Sequence, residues 1–283
     1  MSKARAVAKK KIDEKASFVT PEQVCIVMPG NDLMTILSLV NTVSIDVGIQ
    51  FHPNGLSISA VDASHVAMMM VEYGDVPKGE RPQHTVVIDS ADVLGILKKG
   101  LGKAKGRGAK RESEYTLLFE TDAASGKYSV SDVDGRFKLT KKGMDINTVA
   151  QPNAPNIMWK ASFEMPAVKL LEKLEFCKMG GDLIRIEVDE KDVNIKTAGE
   201  SMVTEMSTKG DSSSIETGKI GQVAAQYSLT YLVPLVKALK GQNLKVNTGE
   251  SFPLKIETVW DFGYETKPLK FTYFLAPRVE SDY

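Results

Sequence analysis

The sequence predicts an α+β protein made of two similar halves, with β-sheets on the outside and four helices on one side. Short β-branched segments separated by turn residues fill most of the chain, and only four segments have helical periodicity. The third helical segment starts at 166, 135 residues after the first at 31, and the fourth starts near 229, 139 residues after the second near 90. A turn at 53–55 has a counterpart at 190–192. These regular steps indicate a duplicated domain.

Apolar residues at helical spacing define the four predicted helices. The first is NDLMTILSLVNTV (31–43), the second runs from Ser90 through ADVLGILKK, and the third is PAVKLLEKLEFCK, with Pro166 in its first turn. The fourth is TYLVPLVKALK, which has to begin near 228–230 because Pro234 is tolerated only close to the start of a helix. The apolar faces are Leu33, Ile36, Leu37 and Val40 in the first helix, Leu170, Leu171, Leu174 and Cys177 in the third, and Leu232, Leu235, Val236 and Leu239 in the fourth.

The segments between the helices are typical of strands, since they are short and rich in β-branched residues. In the first half they are QVCIVM, DVGIQFH, LSISAVD, HTVVID, EYTLLFE, KYSVSDV and RFKLT, and in the second WKASFEM, DLIRIEV, VNIKTAG, SMVTEMS, QYSL, NLKVNT, PLKIETV and LKFTYF. Between the halves, MDINTVAQPNAPN (144–156) has two prolines, three asparagines and no helical period, so it is expected to be extended. We therefore predict a tail at 1–20, a first domain at 21–143, a connector at 144–157 and a second domain at 158–283.

The last predicted strand, in FTYFLAPRVESDY (271–283), carries an aromatic ring on the wrong face. Phe271, Tyr273 and Leu275 alternate as one buried face would, which places Phe274 on the face expected to be wet. Pro277 ends the strand because it has no amide to donate. Phe274 is therefore either packed under a loop or available to a binding partner.

The net charge of zero conceals an asymmetry. Residues 1–17 carry six basic and two acidic side chains, a balance of +4, so the rest of the chain carries −4. The tail has no packing pattern and fits a disordered solubilising arm, with a nuclear-type address or a loose DNA contact as alternatives. No apolar run approaches the roughly 20 residues needed to cross a bilayer, and two cysteines do not make a disulfide framework. We expect an intracellular protein in a reducing compartment, with no membrane contact.

Residues that carry catalysis or bind metals are few and scattered. The histidines His52, His65 and His84 have no second His or Cys within two to five residues, so there is no zinc spacing. Cys25 lies in a predicted strand and Cys177 on an apolar helix face, where cysteine is usually a small buried hydrophobe. We expect no enzyme activity, no cofactor and no metal. The alternative from another class is a hydrolase that uses Cys25 or Cys177 with a histidine.

Two segments resemble functional motifs only superficially. GLGKAKGRG (100–108) lacks the residue order of a phosphate-binding loop and follows a helix where that loop would open one. Asp62 and His65 are neighbours in VDASHV (61–66), which is interpreted as a side-chain-capped turn between two strands and not as a catalytic pair.

Four stretches resemble the proliferating cell nuclear antigen family, the DNA sliding clamps of eukaryotes and archaea. VDASHVAMMMVEY (61–73) is similar to the D-S-S-H-V segment of that family, and FTYFLAPRVES (271–281) to its Y-Y-L-A-P-[KR]-[IV]-E terminus. MDINTVAQP (144–152) is similar to the start of its interdomain connector, and SFEMPAVKLLEKLEFCKMGGD (162–182) to the opening of its second domain. The resemblance covers residues 21–281.

The resemblance implies a processivity factor without catalytic activity. In that family each subunit has two similar clamp domains, and three subunits close a ring around double-stranded DNA, with sheets outside and four helices per subunit inside. The implied partners are copies of the chain itself, an ATP-driven clamp loader, DNA polymerase, flap endonuclease and DNA ligase, the enzymes binding through short peptide motifs. Its place would be on chromosomal DNA, in the nucleus of a eukaryote or the cytoplasm or nucleoid of an archaeal or viral host cell. A checkpoint-type or heterotrimeric clamp subunit is the related alternative.

The chain also departs from the family pattern. Residues 1–20 have no counterpart, the first helix has no basic residue, and the segment 98–111 is longer and more basic than usual. We expect that segment to contact phosphates at the rim of the ring and to replace charge missing from the first helix. Lysines opposite the apolar helix faces would supply weak, sequence-independent attraction to DNA. The predicted DNA-binding residues are Lys98, Lys99, Lys103, Lys105, Arg107, Lys110, Arg111, Lys169, Lys173, Lys178, Lys237 and Lys240.

The family also has a groove for partner peptides beneath the connector. By resemblance, an exposed Phe274 would accept the aromatic and aliphatic anchors of a client peptide there, and Met68 suits a pocket that takes several clients. Ala150 and Pro152 are rival connector positions to Val149. The predicted lining residues are Val61, His65, Val66, Met68, Val149, Pro253, Phe274, Ala276 and Pro277.

Overall fold

The computed structural model describes residues 18–20, 23–76, 81–100, 116–122, 125–132, 137–198, 202–209, 211, 214–217, 223–260 and 268–278. The chain divides into two compact units. The first contains Met1–Ala60, Val71–Gln151 and Asp261–Pro268, and the second contains Val61–Met70, Pro152–Trp260 and Leu269–Tyr283. The domain boundaries stated above stay a prediction.

The first unit contains two helices and two antiparallel sheets in its described part. One sheet has the strand order β1-β2-β7-β8-β9, and the other has the order β6-β3-β4-β5, in which β5 belongs to this unit only from Val71 onward. A short 3-10 turn, Ile146–Thr148, follows. In chain order the elements are β1 (Phe18–Val19), β2 (Gln23–Pro29), α1 (Gly30–Val40), β3 (Asp46–His52), β4 (Asn54–Val61), β5 (Ala67–Asp75), β6 (His84–Asp89), α2 (Ser90–Gly100), β7 (Thr116–Asp122), β8 (Lys127–Asp132) and β9 (Lys138–Lys142).

The second unit repeats this plan. Its sheets have the strand orders β13-β12-β11-β15 and β14-β10-β16-β17-β18, with antiparallel pairing. In chain order the elements are β10 (Ala161–Pro166), α3 (Ala167–Cys177), β11 (Leu183–Val188), β12 (Val193–Ala198), β13 (Val203–Ser207), β14 (Ser214–Thr217), β15 (Val223–Ser228), α4 (Leu229–Ala238), β16 (Asn243–Thr248), β17 (Leu254–Trp260) and β18 (Leu269–Leu275).

The apolar faces of the helices form the core, as the periodicity predicts. Leu33, Ile36, Leu37 and Val40 of α1 are at most 1% exposed, and α1 packs against α2. The apolar face of α3 is buried in the same way, and α3 packs against α4. The helices of each unit therefore form a pair that covers its own sheets.

The proline-containing helix begins where the sequence requires. Pro234 lies inside α4, and the helix starts at Leu229, directly after the extended Ser228. Pro166 is also extended, with φ −61° and ψ 136°, and precedes α3, so it stands one position before the first turn in which it was predicted.

A short strand lies within the predicted tail. Phe18 and Val19 form β1, which pairs with Cys25 and Val24 of β2 through a turn closed by Thr20 and Gln23. Strand β14 has the equivalent position in the second unit. It pairs with β10, and β10 leads into α3 as β2 leads into α1. The rest of the tail lies outside the described residues.

The turn between β3 and β4 requires glycine at its last position. A Cβ atom on Gly55 would lie 2.3 Å from the carbonyl oxygen of Tyr73. Because glycine has no side chain, the β3–β4 hairpin can approach that backbone closely, which explains the glycine at 55.

Candidate functional site

Asp62 organises the turn between β4 and β5. Its carboxylate accepts hydrogen bonds from the amides of Ser64, Val66 and Ala67 at 3.1, 2.7 and 2.6 Å. His65 adopts a positive φ of 55°, and its amide donates to the Asp62 carbonyl at 3.0 Å. The turn is therefore side-chain-capped, as predicted, and its residues are held in one conformation.

The same carboxylate connects the turn to helix α4. Tyr231 Oη donates to Asp62 Oδ2 at 3.1 Å. Burial alone would raise the pKa of Asp62, but the hydrogen bonds from Ala67, Val66, Ser64 and Tyr231 outweigh it and lower the pKa below its usual value. Asp62 therefore stays ionised and keeps all four donors.

The end of β18 is attached to this turn by the backbone. The amide of Ala276 donates to the carbonyl of Val66 at 2.8 Å. Two residues later, the amide of Arg278 donates to the carbonyl of Gln226 in β15 at 2.8 Å. The start of the Ala276-Pro277 segment is therefore placed beside Val66.

The prediction of an exposed Phe274 is wrong. Phe274 is only 6% exposed, and its ring stacks on Trp159 with the ring centroids 6.4 Å apart and an angle of 27°. The first of the two alternatives drawn from the strand pattern, a ring packed under a loop, is the one observed. Trp159, which precedes β10, was not among the predicted residues, because an isolated aromatic after a proline-rich connector has no sequence signal for what it covers.

The other predicted residues of this surface are at least partly accessible. His65 is exposed, while Val61, Val66, Met68, Pro253, Ala276 and Pro277 are half-buried. Together with Trp159 and Phe274 they are called the client surface below, and all of them belong to the second unit. Val149 is half-buried and belongs to the first unit, as does the exposed Ala150, so their part in the groove stays a prediction.

The predicted DNA-binding lysines of α2 and α4 are exposed near the C-terminal ends of their helices. Lys98 and Lys99 lie in the last turn of α2. Lys237 lies in the last turn of α4, two residues before the C-cap residue Leu239. Lys240 and, after α3, Lys178 are exposed as well. Cations at helix C-termini also complement the helix dipole.

Helix α3 differs from the prediction. Lys169 and Lys173 do not share an exposed face, because Lys173 is 5% exposed and its Nζ lies 2.7 Å from Asp211 Oδ2. Lys169 is partly exposed and lies near two carboxylates, Glu172 at 3.4 Å and Asp211 at 4.0 Å. Lys173 is therefore withdrawn from the predicted DNA contacts.

The exposed face of α3 also carries acidic residues. Glu172 and Glu175 are both exposed. The four-residue spacing of Lys169 and Lys173 suggests a shared basic face. It cannot show that Lys173 is buried, because that burial depends on Asp211, which is 38 residues away in the sequence. Lys103, Lys105, Arg107, Lys110 and Arg111 lie outside the described residues.

The described part of the chain offers little support for a cysteine nucleophile or a metal site. Cys25 and Cys177 are both buried. Burial raises the pKa of the Cys177 thiol, and the nearby Thr204, Thr197 and Lys173 lower it only in part, so the thiol is a poor nucleophile. Among the described residues no group of three or more His, Cys, Asp or Glu could hold a metal ion. None of the described helices is long and apolar enough to span a membrane.

Solved structures of sliding clamps have this fold. The chain matches A. fulgidus PCNA, solved with the C-terminal region of FEN-1 bound, with a TM-score of 0.75 and 19% identity over 91% of this chain and 99% of that chain. PCNA from Entamoeba histolytica matches with a TM-score of 0.74 and 16% identity over 92% and 100%. The chain therefore has the α+β fold of PCNA, and the predicted fold class is confirmed.

Sequence relatives give the family. A DNA polymerase sliding clamp of Methanosarcina mazei is 30% identical over 255 residues, which cover 84% of this chain and 91% of the relative. One from Methanococcus maripaludis strain C7 is 25% identical over 88% of this chain and 96% of the relative. No family model matches the chain. The chain belongs to the DNA polymerase sliding clamp family.

Membership of this family confirms two functional predictions. The chain is a sliding clamp, and sliding clamps are not catalysts, so the cysteine hydrolase alternative is dropped.

Proposed function

We propose that this sliding clamp closes into a homotrimeric ring around double-stranded DNA and holds replication enzymes through short peptides bound at the client surface. The observation that carries the proposal is that each unit has a sheet ending in an accessible strand edge. Within the described residues, β9 ends one sheet of the first unit and β13 ends one sheet of the second.

These two edges suit head-to-tail assembly. β9 alternates between exposed and half-buried residues, and β13 begins with Val203, which is 72% exposed. A strand edge with free amides and carbonyls is a template for pairing with another chain. Because the two edges lie on different sheets, pairing β9 of one subunit with β13 of the next is a heterologous contact, and such contacts form a ring when the rotation closes.

Binding to DNA would depend on diffuse charge. Exposed lysines near the ends of α2, α3 and α4 attract phosphates without reading bases, which permits sliding. The acidic Glu172 and Glu175 on α3 reduce this attraction. Ring closure would therefore retain the clamp on DNA, and the basic segment 98–111 would add further phosphate contacts.

The client surface fits peptides with apolar anchors. Half-buried Val66 belongs to a turn that Asp62 holds in one conformation, and Ala276 is hydrogen-bonded to Val66, so little ordering is needed when a peptide binds. DNA polymerase, flap endonuclease and DNA ligase are the proposed clients. Because a closed ring cannot thread onto circular DNA, an ATP-driven clamp loader is a further proposed partner. The proposed location is on chromosomal DNA.

Primer extension tests the proposed function. A primed circular template is copied by a matching polymerase and loader, with and without the clamp, and product length is measured. The clamp is expected to lengthen products many-fold on the circle only when loader and ATP are present. Products of equal length with and without the clamp would contradict the proposal.

Peptide binding has its own measurement. A peptide from the C-terminal region of a matching flap endonuclease is titrated into the clamp, and tryptophan fluorescence is followed. The chain has two tryptophans, and Trp159 stacks on Phe274, so its emission should change on binding. A Trp260→Phe variant should preserve the change, and a Trp159→Phe variant should abolish it. No binding by calorimetry with an intact fold would contradict the proposed client surface.

A further inference from the structure

Lys173 is buried, which is unusual for a lysine side chain. It lies on α3 at 5% exposure, and its Nζ donates to Asp211 Oδ2 at 2.7 Å and to the carbonyl oxygen of Ser207 at 2.9 Å. The hydrogen bond from Lys173 lowers the pKa of Asp211, so this carboxylate stays ionised. A buried ammonium needs such acceptors, since an unpaired one is strongly unfavourable.

The pair holds the C-terminal end of one strand. Ser207 is the last residue of β13, and the amide of Asp211 donates to the carbonyl of Thr208 at 2.8 Å. Thr208 is fully buried, and its amide bonds to the Val193 carbonyl at 2.9 Å. Lys173 thus ties the segment after β13 to the middle of α3.

Strand β13 is paired along one edge only, and its other edge has no partner strand in the described part of the chain. On its inner edge β13 pairs with β12, from Asn194 opposite Ser207 to Ala198 opposite Val203. Met202 and Val203, at the other end of the strand, are 49% and 72% exposed. A strand that is to receive a second chain must hold its amides and carbonyls in register with that chain.

We propose that the Lys173–Asp211 pair is a positioning device that fixes β13 in the conformation which pairs with the neighbouring subunit. The inference rests on the proposed ring. Replacing a buried ion pair with apolar side chains is often neutral for stability, so such a pair is better explained by the conformation it specifies than by stability. Lys173 therefore serves subunit assembly, whereas Lys169, the other lysine of α3, is proposed to attract DNA phosphates.

Assembly at graded concentration tests the inference. The full chain, Lys173→Met and Asp211→Asn are compared by analytical ultracentrifugation across a dilution series, and each is unfolded in urea. Both variants are expected to raise the concentration at which half of the trimer dissociates by about tenfold, while Lys173→Met keeps a urea midpoint close to that of the unaltered protein. Lys169→Met is the matched control on the same helix, and it should dissociate like the unaltered protein because its contact with Asp211 is long and exposed.

The outcomes separate the two proposals. If the unaltered protein is a monomer at every concentration, the ring itself is contradicted. If it is a trimer and Lys173→Met dissociates at the same concentration, the positioning role alone is overturned. If Lys173→Met fails to fold, the double variant Lys173→Met/Asp211→Asn decides in the same way, since it removes both charges and leaves no unpaired buried ammonium.

Discussion

At the scale of single residues, burial decides what a charged side chain does. Asp32, in the first turn of α1, is 2% exposed and accepts a hydrogen bond from Tyr73 Oη at 2.9 Å. Burial raises the pKa of Asp32 to about 6, and the bond from Tyr73 lowers it only in part. Burial and the neighbouring Asp32 raise the pKa of Tyr73, so Tyr73 remains a donor at neutral pH.

This buried carboxyl makes stability depend on pH. Because the pKa of Asp32 is about 6 in the folded state and 3.8 in the reference state, the folded state holds the proton longer as pH rises. The contribution of Asp32 is fully present below pH 4 and is lost as the pH rises through 6. Asp32→Asn should raise the free energy of unfolding at pH 7.5 by about 1 to 2 kcal/mol, as measured in urea.

The control for this prediction is Asp75→Asn, which replaces an exposed carboxylate at the end of β5. The difference between Asp32→Asn and the unaltered protein should shrink from pH 7.5 to pH 4, while Asp75→Asn shows no such trend. A difference that grows on acidification would mean that Asp32 is ionised and stabilising in the fold.

Asp62 should matter for client binding more than for folding. Asp62→Ala removes the acceptor for three amides of the turn and for Tyr231, so the turn loses its fixed conformation. We expect the affinity for a flap endonuclease peptide, measured by calorimetry, to fall about tenfold. Tyr231→Phe removes only one of these bonds and should cost about two- to threefold. Equal affinity in all three proteins would contradict a positioning role for Asp62.

Two residues show what sequence could not reveal at this scale. Lys173 and Phe274 were predicted to be exposed from the periodicity of their own helix and strand. Their burial depends on Asp211 and Trp159, which are 38 and 115 residues away in the sequence. Local periodicity places a side chain on a face, but it does not show which distant segment covers that face.

At the scale of elements, the helices were predictable because their apolar residues recur every three or four positions. The start of α4 was predictable from the stereochemistry of Pro234. The internal repeat predicted that each half of the chain has its own set of strands. The two-residue strand β1 was not predicted, since alternation cannot be seen over Phe18 and Val19 alone. The four-residue strand β14, Ser214–Thr217, was missed for the same reason.

Helix α3 should oppose DNA binding where its carboxylates are exposed. Replacing Glu172 and Glu175 with glutamine removes two negative charges from the exposed face of α3. We expect the affinity for a short DNA duplex, measured by fluorescence anisotropy, to rise about three- to tenfold at low salt and to converge with the unaltered protein as salt increases.

The comparison for that prediction is Glu190→Gln, an exposed residue in the turn between β11 and β12. It should leave DNA affinity unchanged. An equal rise in Glu190→Gln would show that total charge, and not the face of α3, controls the attraction.

At the scale of the whole molecule, weak contacts and the proposed closed ring would explain how this clamp stays on DNA and still moves. Among the described residues, the exposed lysines near the ends of α2, α3 and α4 are few, and α3 also carries exposed carboxylates, so these contacts alone would hold DNA only weakly at physiological salt. Retention would come from the topology of the ring, which the pairing of β9 with β13 would close.

Retention on circular and linear DNA tests this claim most directly. The clamp is loaded onto a nicked circular plasmid, washed at high salt to remove the loader and loosely bound protein, and the DNA is then cut once with a restriction enzyme. Encirclement predicts that the clamp stays on the intact circle through the wash and leaves within minutes of linearisation. Equal loss from the circle and the linear form, or retention after cutting on DNA with free ends, would show that contact energy holds the protein and would contradict the ring.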